Sequence, residues 1–152
     1  MSTLANPGDT EALLRRLSRL TADTPRKWGL MSAHQVVCHL SDSFKVVMGE
    51  RPATSASNLL MRTLVRFIAL HTPLRWPQGA PTMPEVNQQI GGTKPLEFAR
   101  DVGELRALIE RFAATPRDFT FRPHPAFGPL TEREWLHWGF RHTDHHLRQF
   151  GL

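Results

Sequence analysis

Residues 131–151 read TEREWLHWGFRHTDHHLRQFG, and this stretch decides the fold. Thr131 followed three residues later by Glu134 is a capping box, in which two side chains satisfy the first free backbone donors of a helix. No proline interrupts the chain from there to its end, and Gly151 suits a C-terminal cap. One helix from Thr131 to about Phe150 is therefore expected. Four of the chain's eight histidines lie on it: His137, His142, His145 and His146. Residues four apart on a helix stand one turn above each other, so His142 and His146 share a stripe with Gly139 and Trp135. A small and a large apolar residue on that stripe point it inward, with His145 toward its edge.

Two imidazoles one turn apart can close on one divalent ion at ~2.0–2.1 Å. Such pairs also arise by chance on hydrogen-bonded or solvated faces, so the spacing alone leaves both readings open. A metal site needs a third ligand, and in helical proteins it comes from a facing helix. Ser32 and Gln35 form a second capping box, followed by Val36, Val37, Leu40, Phe44, Val47 and Met48 as a broad apolar face. His39 lies at the margin of that face. His34 sits in the first turn and points away from it. Three neutral imidazoles with an open fourth position are the pattern of a catalytic rather than a structural zinc site.

The rest of the chain fits an all-helical domain. Leu13, Leu14, Leu17 and Leu20 recur at helical spacing before Pro25. A third helix is expected over roughly Ser57 to Leu70, with Leu60, Leu64, Phe67 and Ile68 as its buried stripe. A fourth carries Val102, Leu105, Leu108, Ile109 and Phe112. Between them, His71 to Pro95 holds Pro73, Pro77, Pro81, Pro84 and Pro95, which exclude a long regular element. Such a connection is either a wall of a functional site or a passive crossover. A second irregular stretch, Thr115 to Leu130, carries four more prolines. Strand alternation with hairpin turns is absent.

Composition bounds the class. At 152 residues, 40% apolar and 22% charged, the chain has the makings of one globular domain spanning 1–152. No run approaches the ~20 apolar residues of a membrane span. No leader pattern opens the chain, so a cytoplasmic location is expected. Cys38 is the single cysteine; it excludes an intrachain disulfide and sits among Val36, Val37 and Leu40 as a small core residue. The formal charge of +5 raises the question of nucleic acid, but the arginines are scattered among acids and no reading motif is present. An acidic small molecule is the partner such a field favours.

Family likeness sharpens the picture. Trp28 to Gly49, WGLMSAHQVVCHLSDSFKVVMG, resembles the early helix of the DinB-like (DinB/YfiT) superfamily, whose W-s-x-x-Q-x-x-x-H-L pattern supplies one metal ligand. That ligand maps to His39. HTDHHLRQ, His142 to Gln149, resembles the superfamily's H-x-x-H-H-x-x-Q ending, whose first and last histidines map to His142 and His146. HPAFGPLTEREW from His124 and HHLRQFG from His145 look like a bacterial branch of that superfamily. The resemblance implies a four-helix bundle with up-down-down-up connectivity and long proline-rich loops, often a homodimer, holding zinc or nickel. Some relatives are thiol transferases, and hydrolysis through bound water is the other chemistry open to such a centre. The alternatives are a non-catalytic metal or small-molecule binding module and, behind it, the nucleic-acid association that the superfamily's damage-inducible name suggests.

Around the three ligands, His145 reads as a partner of the site or a satisfied inward polar group. Asp42, one turn after His39, reads as a partner of that ring or a solvated surface acid. His124 reads as a loop residue that swings over the site or one that closes a turn. Gln149 completes the ending motif as a contact of the site. Asp144 points away from the His142–His146 stripe, and no general base can be named.

Overall fold

The computed structural model describes residues 1–152, and its regular elements are all helical, with no strand. Helix α1 spans Pro7–Leu17, α2 Ala33–Val47, α3 Arg66–His71, α4 Phe98–Ala113 and α5 Glu132–Gln149. A π-helical turn, Met61–Val65, runs directly into α3, and a single 3-10 turn, Pro84–Val86, interrupts the connection to α4. Both expected capping boxes form: Ser32 with Gln35 at the start of α2, and Thr131 with Glu134 at the start of α5. Gly49 and Gly151 follow their helices with φ of 82° and 78°, the left-handed conformation that glycine adopts without a Cβ clash.

Helix α2 is the centre of the molecule. It packs on α4 and α5, while α1 lies against α5 and α4. Val36, Val37, Leu40, Phe44 and Val47 of α2 are buried with Leu105, Ile109 and Phe112 of α4 and Trp135, Trp138 and Leu147 of α5. Side chains of this size contribute roughly 1.5–3 kcal/mol each when fully buried. Gly139 lets α5 approach this cluster, since a Cβ there would stand 3.1 Å from Phe112 Cε1 and 3.3 Å from Phe44 Cε1.

The third helix departs from expectation. Helical structure runs over 59–71, close to the expected extent, but the anticipated stripe faces outward: Leu60, Leu64, Phe67 and Ile68 are 57, 55, 57 and 40% exposed. Contact with the body is made instead by Leu70, with Val65 and Ala69 packed beside it. The cause is a polar anchor. Arg66 donates three hydrogen bonds of 2.7–2.9 Å to the buried carboxylate of Glu134, and His71 Nε2 lies 3.0 Å from the same group. Pairing Arg66 and His71 with α5 fixes the rotation of a helix this short, and the apolar stripe is turned away.

Candidate metal centre

His39 projects from the middle of α2, and His142 and His146 from the second half of α5. Their ligand atoms all lie within 4.8 Å of one another, with His39 and His146 buried and His142 partly so. His39 and His142 meet through their Nε2 atoms at 3.3 Å. Two nitrogens bound at ~2.0–2.1 Å to one tetrahedral ion stand about 3.3–3.4 Å apart. The separation therefore matches either a shared proton or a shared cation.

Hydrogen bonds on the far side of two rings decide which nitrogens face inward. His39 Nδ1–H donates to the carbonyl oxygen of Val86 at 2.8 Å. His146 Nδ1–H donates to Gln149 Oε1 at 3.0 Å. A ring that spends its one proton on Nδ1 presents a bare Nε2, the state a metal requires. The third ring is held differently. His142 Nδ1 is buried without a hydrogen-bond partner, and its plane is fixed between Trp138 and Trp76, whose ring centroids are 5.0 and 5.8 Å away.

Burial pushes His39 below the ordinary imidazole range, against the contrary pull of its bond to Val86. Burial, followed by repulsion from the neighbouring imidazoles, pushes His142 and His146 well below it. All three are neutral at physiological pH, and neutral imidazole is the ligand form.

The surrounding residues divide. Gln149 is fully buried and bonded to His146. Gly29 packs against it so closely that a Cβ would lie 2.5 Å from Gln149 Nε2. His145 stands beside the site, its ring 5.2 Å from His146, 4.8 Å from Trp28 and 5.9 Å from Trp76. Asp42 is neither a solvated acid nor a hydrogen-bond partner of a histidine. It is 0% exposed and accepts from Gln88 Nε2, Thr93 N and Thr93 Oγ1, with Arg51 at 3.3 Å. Those bonds fix the segment that carries Val86, so Asp42 acts on His39 through the backbone, and its charge also favours the protonated ring. His124 does not reach the site: its Nδ1 accepts from Ala126 N and Phe127 N, its ring stacks on Phe127, and it closes its own turn. Asp144 faces Arg16 and Arg148 at 2.6 and 2.9 Å.

Two contributors come from the connection between α3 and α4. The Val86 carbonyl carries no side-chain signal in a sequence. Trp76 does, as a lone aromatic among prolines, and Arg141 pins it by donating to the carbonyls of Thr72 and Leu74 while lying 5.7 Å over its ring. This connection is a wall of the site.

A second cluster joins His34, Cys38 and Asp101. Asp101 Oδ2 accepts from His34 Nε2 at 2.7 Å, from Leu96 N at 3.2 Å and more weakly from Cys38. Its polar atoms satisfy one another, and it ties α2 to α4. The burial of Cys38, reinforced by the Asp101 charge, raises its thiol to about 12.

Fold and site together define an all-helical protein with a buried three-histidine cluster whose geometry suits a metal ion. The chain belongs to the family described as "Protein of unknown function (DUF1569)", whose model matches residues 6–151. No curated protein and no solved structure matches it. No helix is long and apolar enough to cross a membrane.

Proposed function

We propose that this protein binds one divalent metal ion, zinc or nickel, through His39, His142 and His146. The observation that carries the reading is the pair of outward Nδ1–H bonds, to Val86 O and Gln149 Oε1, which leave bare Nε2 atoms converging beside His142. The donor set fits the ion: three neutral nitrogens from two helices, all within 4.8 Å of one another, with His39 and His142 at the separation natural to tetrahedral coordination. The residue pattern resembling DinB-like proteins supports the same ligands, and with them an up-down-down-up four-helix bundle and a homodimer.

A divalent ion held there lowers the pKa of a bound water or thiol toward neutrality. This chain's residues orient the ligands and restrict water rather than move protons, since none of the three rings hydrogen-bonds to a carboxylate. With Asp42 and Asp144 engaged elsewhere, the arrangement favours chemistry that needs no protein base. Thiol transfer or hydrolysis by a metal-dependent enzyme is the function we assign. The same lack of a base is what favours the second reading, a binding module without turnover.

The test is metal content by plasma mass spectrometry on tag-free protein, beside a folded His142→Ala/His146→Ala variant. About one equivalent in the wild type and almost none in the variant is the expected result. A wild type that stays empty after exposure to zinc, nickel, manganese and iron ends the metal reading. Turnover of model thiols and esters by loaded protein then separates enzyme from binding module.

A further inference from the structure

A cleft of about 550 Å³ opens next to the triad, within the range of small-molecule sites. Its walls include Trp28 and Trp76, and its rim carries Arg75, Arg141 and Arg148, with His145 at its inner side. Trp76 also packs on the ring of His142, and His145 on that of His146. The cleft is thus one side chain away from the metal ligands.

Its charge is unbalanced. Among side chains, three arginines face one carboxylate, Asp144, and that carboxylate is already shared between Arg148 and Arg16. Arg75 is exposed and has no hydrogen bond or ion pair. Arg141 donates only to main-chain carbonyls and makes no ion pair, with the Asp144 charge acting on it from a distance. A guanidinium that is unpaired, as in Arg75, or that shares its carboxylate with a second arginine, as in Arg148, can bind a carboxylate or phosphate in fork geometry, and indole faces accept a flat apolar body.

We propose that this cleft binds a small organic anion with an aromatic or flat apolar body, its carboxylate or phosphate held by Arg75 and Arg148 and its body set between Trp28 and Trp76. Its role as the substrate pocket rests on the metal-centre reading above; its ability to bind the anion does not. Arg141 is a positioning residue, because it holds Trp76 in place.

Calorimetric titration of metal-free and metal-loaded protein with 2-naphthoate, 2-naphthyl phosphate and neutral 2-naphthamide tests the binding. Either anion should bind both forms, the amide at least about tenfold more weakly, and Arg75→Gln/Arg148→Gln should lose at least about tenfold for the anion. The stronger of the two anions names the head group. Proton relaxation of bound naphthoate tests position: it should be enhanced in cobalt-loaded protein relative to zinc-loaded protein. Absent binding, equal affinity for the amide, or anion affinity unchanged in the double variant overturns the proposal. So does binding without relaxation enhancement, which places the ligand elsewhere. Should the double variant not fold, the amide comparison on wild type still decides. If cobalt is not taken up, metal analysis shows that failure separately, and anion binding to the metal-free protein still decides the cleft.

Discussion

Gln149 Oε1 accepts the Nδ1 proton of His146 at 3.0 Å, three residues further along the same helix. The bond selects the tautomer whose Nε2 faces His39 and His142. Replacing Gln149 by leucine, of similar volume, removes the acceptor and frees the ring to protonate at Nε2. Partners of this kind are worth about 10- to 100-fold in metal affinity. Gln149→Leu is expected to fold and to weaken zinc binding by that factor, as measured by competition with a chromophoric chelator. Unchanged affinity would show that helix packing alone orients His146.

Two helical glycines give opposite expectations for the same substitution. Alanine improves a helix interior by about 0.5–1 kcal/mol when nothing else changes. Gly103 in α4 has nothing within 4 Å of its would-be Cβ, so Gly103→Ala should stabilise by that amount. At Gly139 the Cβ would meet Leu4 Cδ1 at 2.8 Å and the rings of Phe112 and Phe44. Leu4 can shift, but the phenyl rings are fully buried. Overpacking of about 1–3 kcal/mol outweighs the propensity gain, and Gly139→Ala should destabilise. Urea denaturation of both variants reads the two signs.

The contrast between helices shows what is legible in the sequence. Capping boxes at Ser32 and Thr131 are local chemistry, and the helices they start lie where those motifs place them. The three metal-site candidates are visible because His142 and His146 share a stripe and His39 sits on a strongly apolar helix. The α3 stripe misleads because periodicity reports that a helix has two faces, and not which one meets the protein. That choice lies with Arg66 and Glu134, 68 residues apart. The Val86 carbonyl is invisible for a related reason, since any residue supplies a carbonyl. Asp42 resembles a surface acid because its partners, Gln88 and Thr93, lie across a long connection.

Cys38 should be inert in the native protein. With its thiol raised to about 12 by burial and the Asp101 charge, roughly one molecule in ten thousand carries a thiolate at pH 8. Reaction with a disulfide reagent such as Ellman's is expected to be at least about a thousandfold slower in buffer than in urea. Rapid native labelling would mean that α2 and α4 separate readily around the His34–Asp101 pair.

The anchor of α3 sets an acid limit on stability. Burial alone would raise the Glu134 carboxyl, but the bonds from Arg66, Thr131 and His71 overcome it and hold the group down at about 2. A carboxyl depressed in the folded state stabilises the protein above its unfolded value, near 4.5, and loses that contribution as pH falls toward 2. Arg66 is partly exposed and His71 more so, which screens the interaction to on the order of 2 kcal/mol. Urea midpoints between pH 6 and pH 2.5 should therefore fall less steeply in Glu134→Gln than in wild type, because the variant has already lost the contribution. At pH 6 the variant should be the less stable protein by about the same amount. Parallel pH profiles would place the acid sensitivity in other carboxylates and remove Glu134 as the anchor of α3.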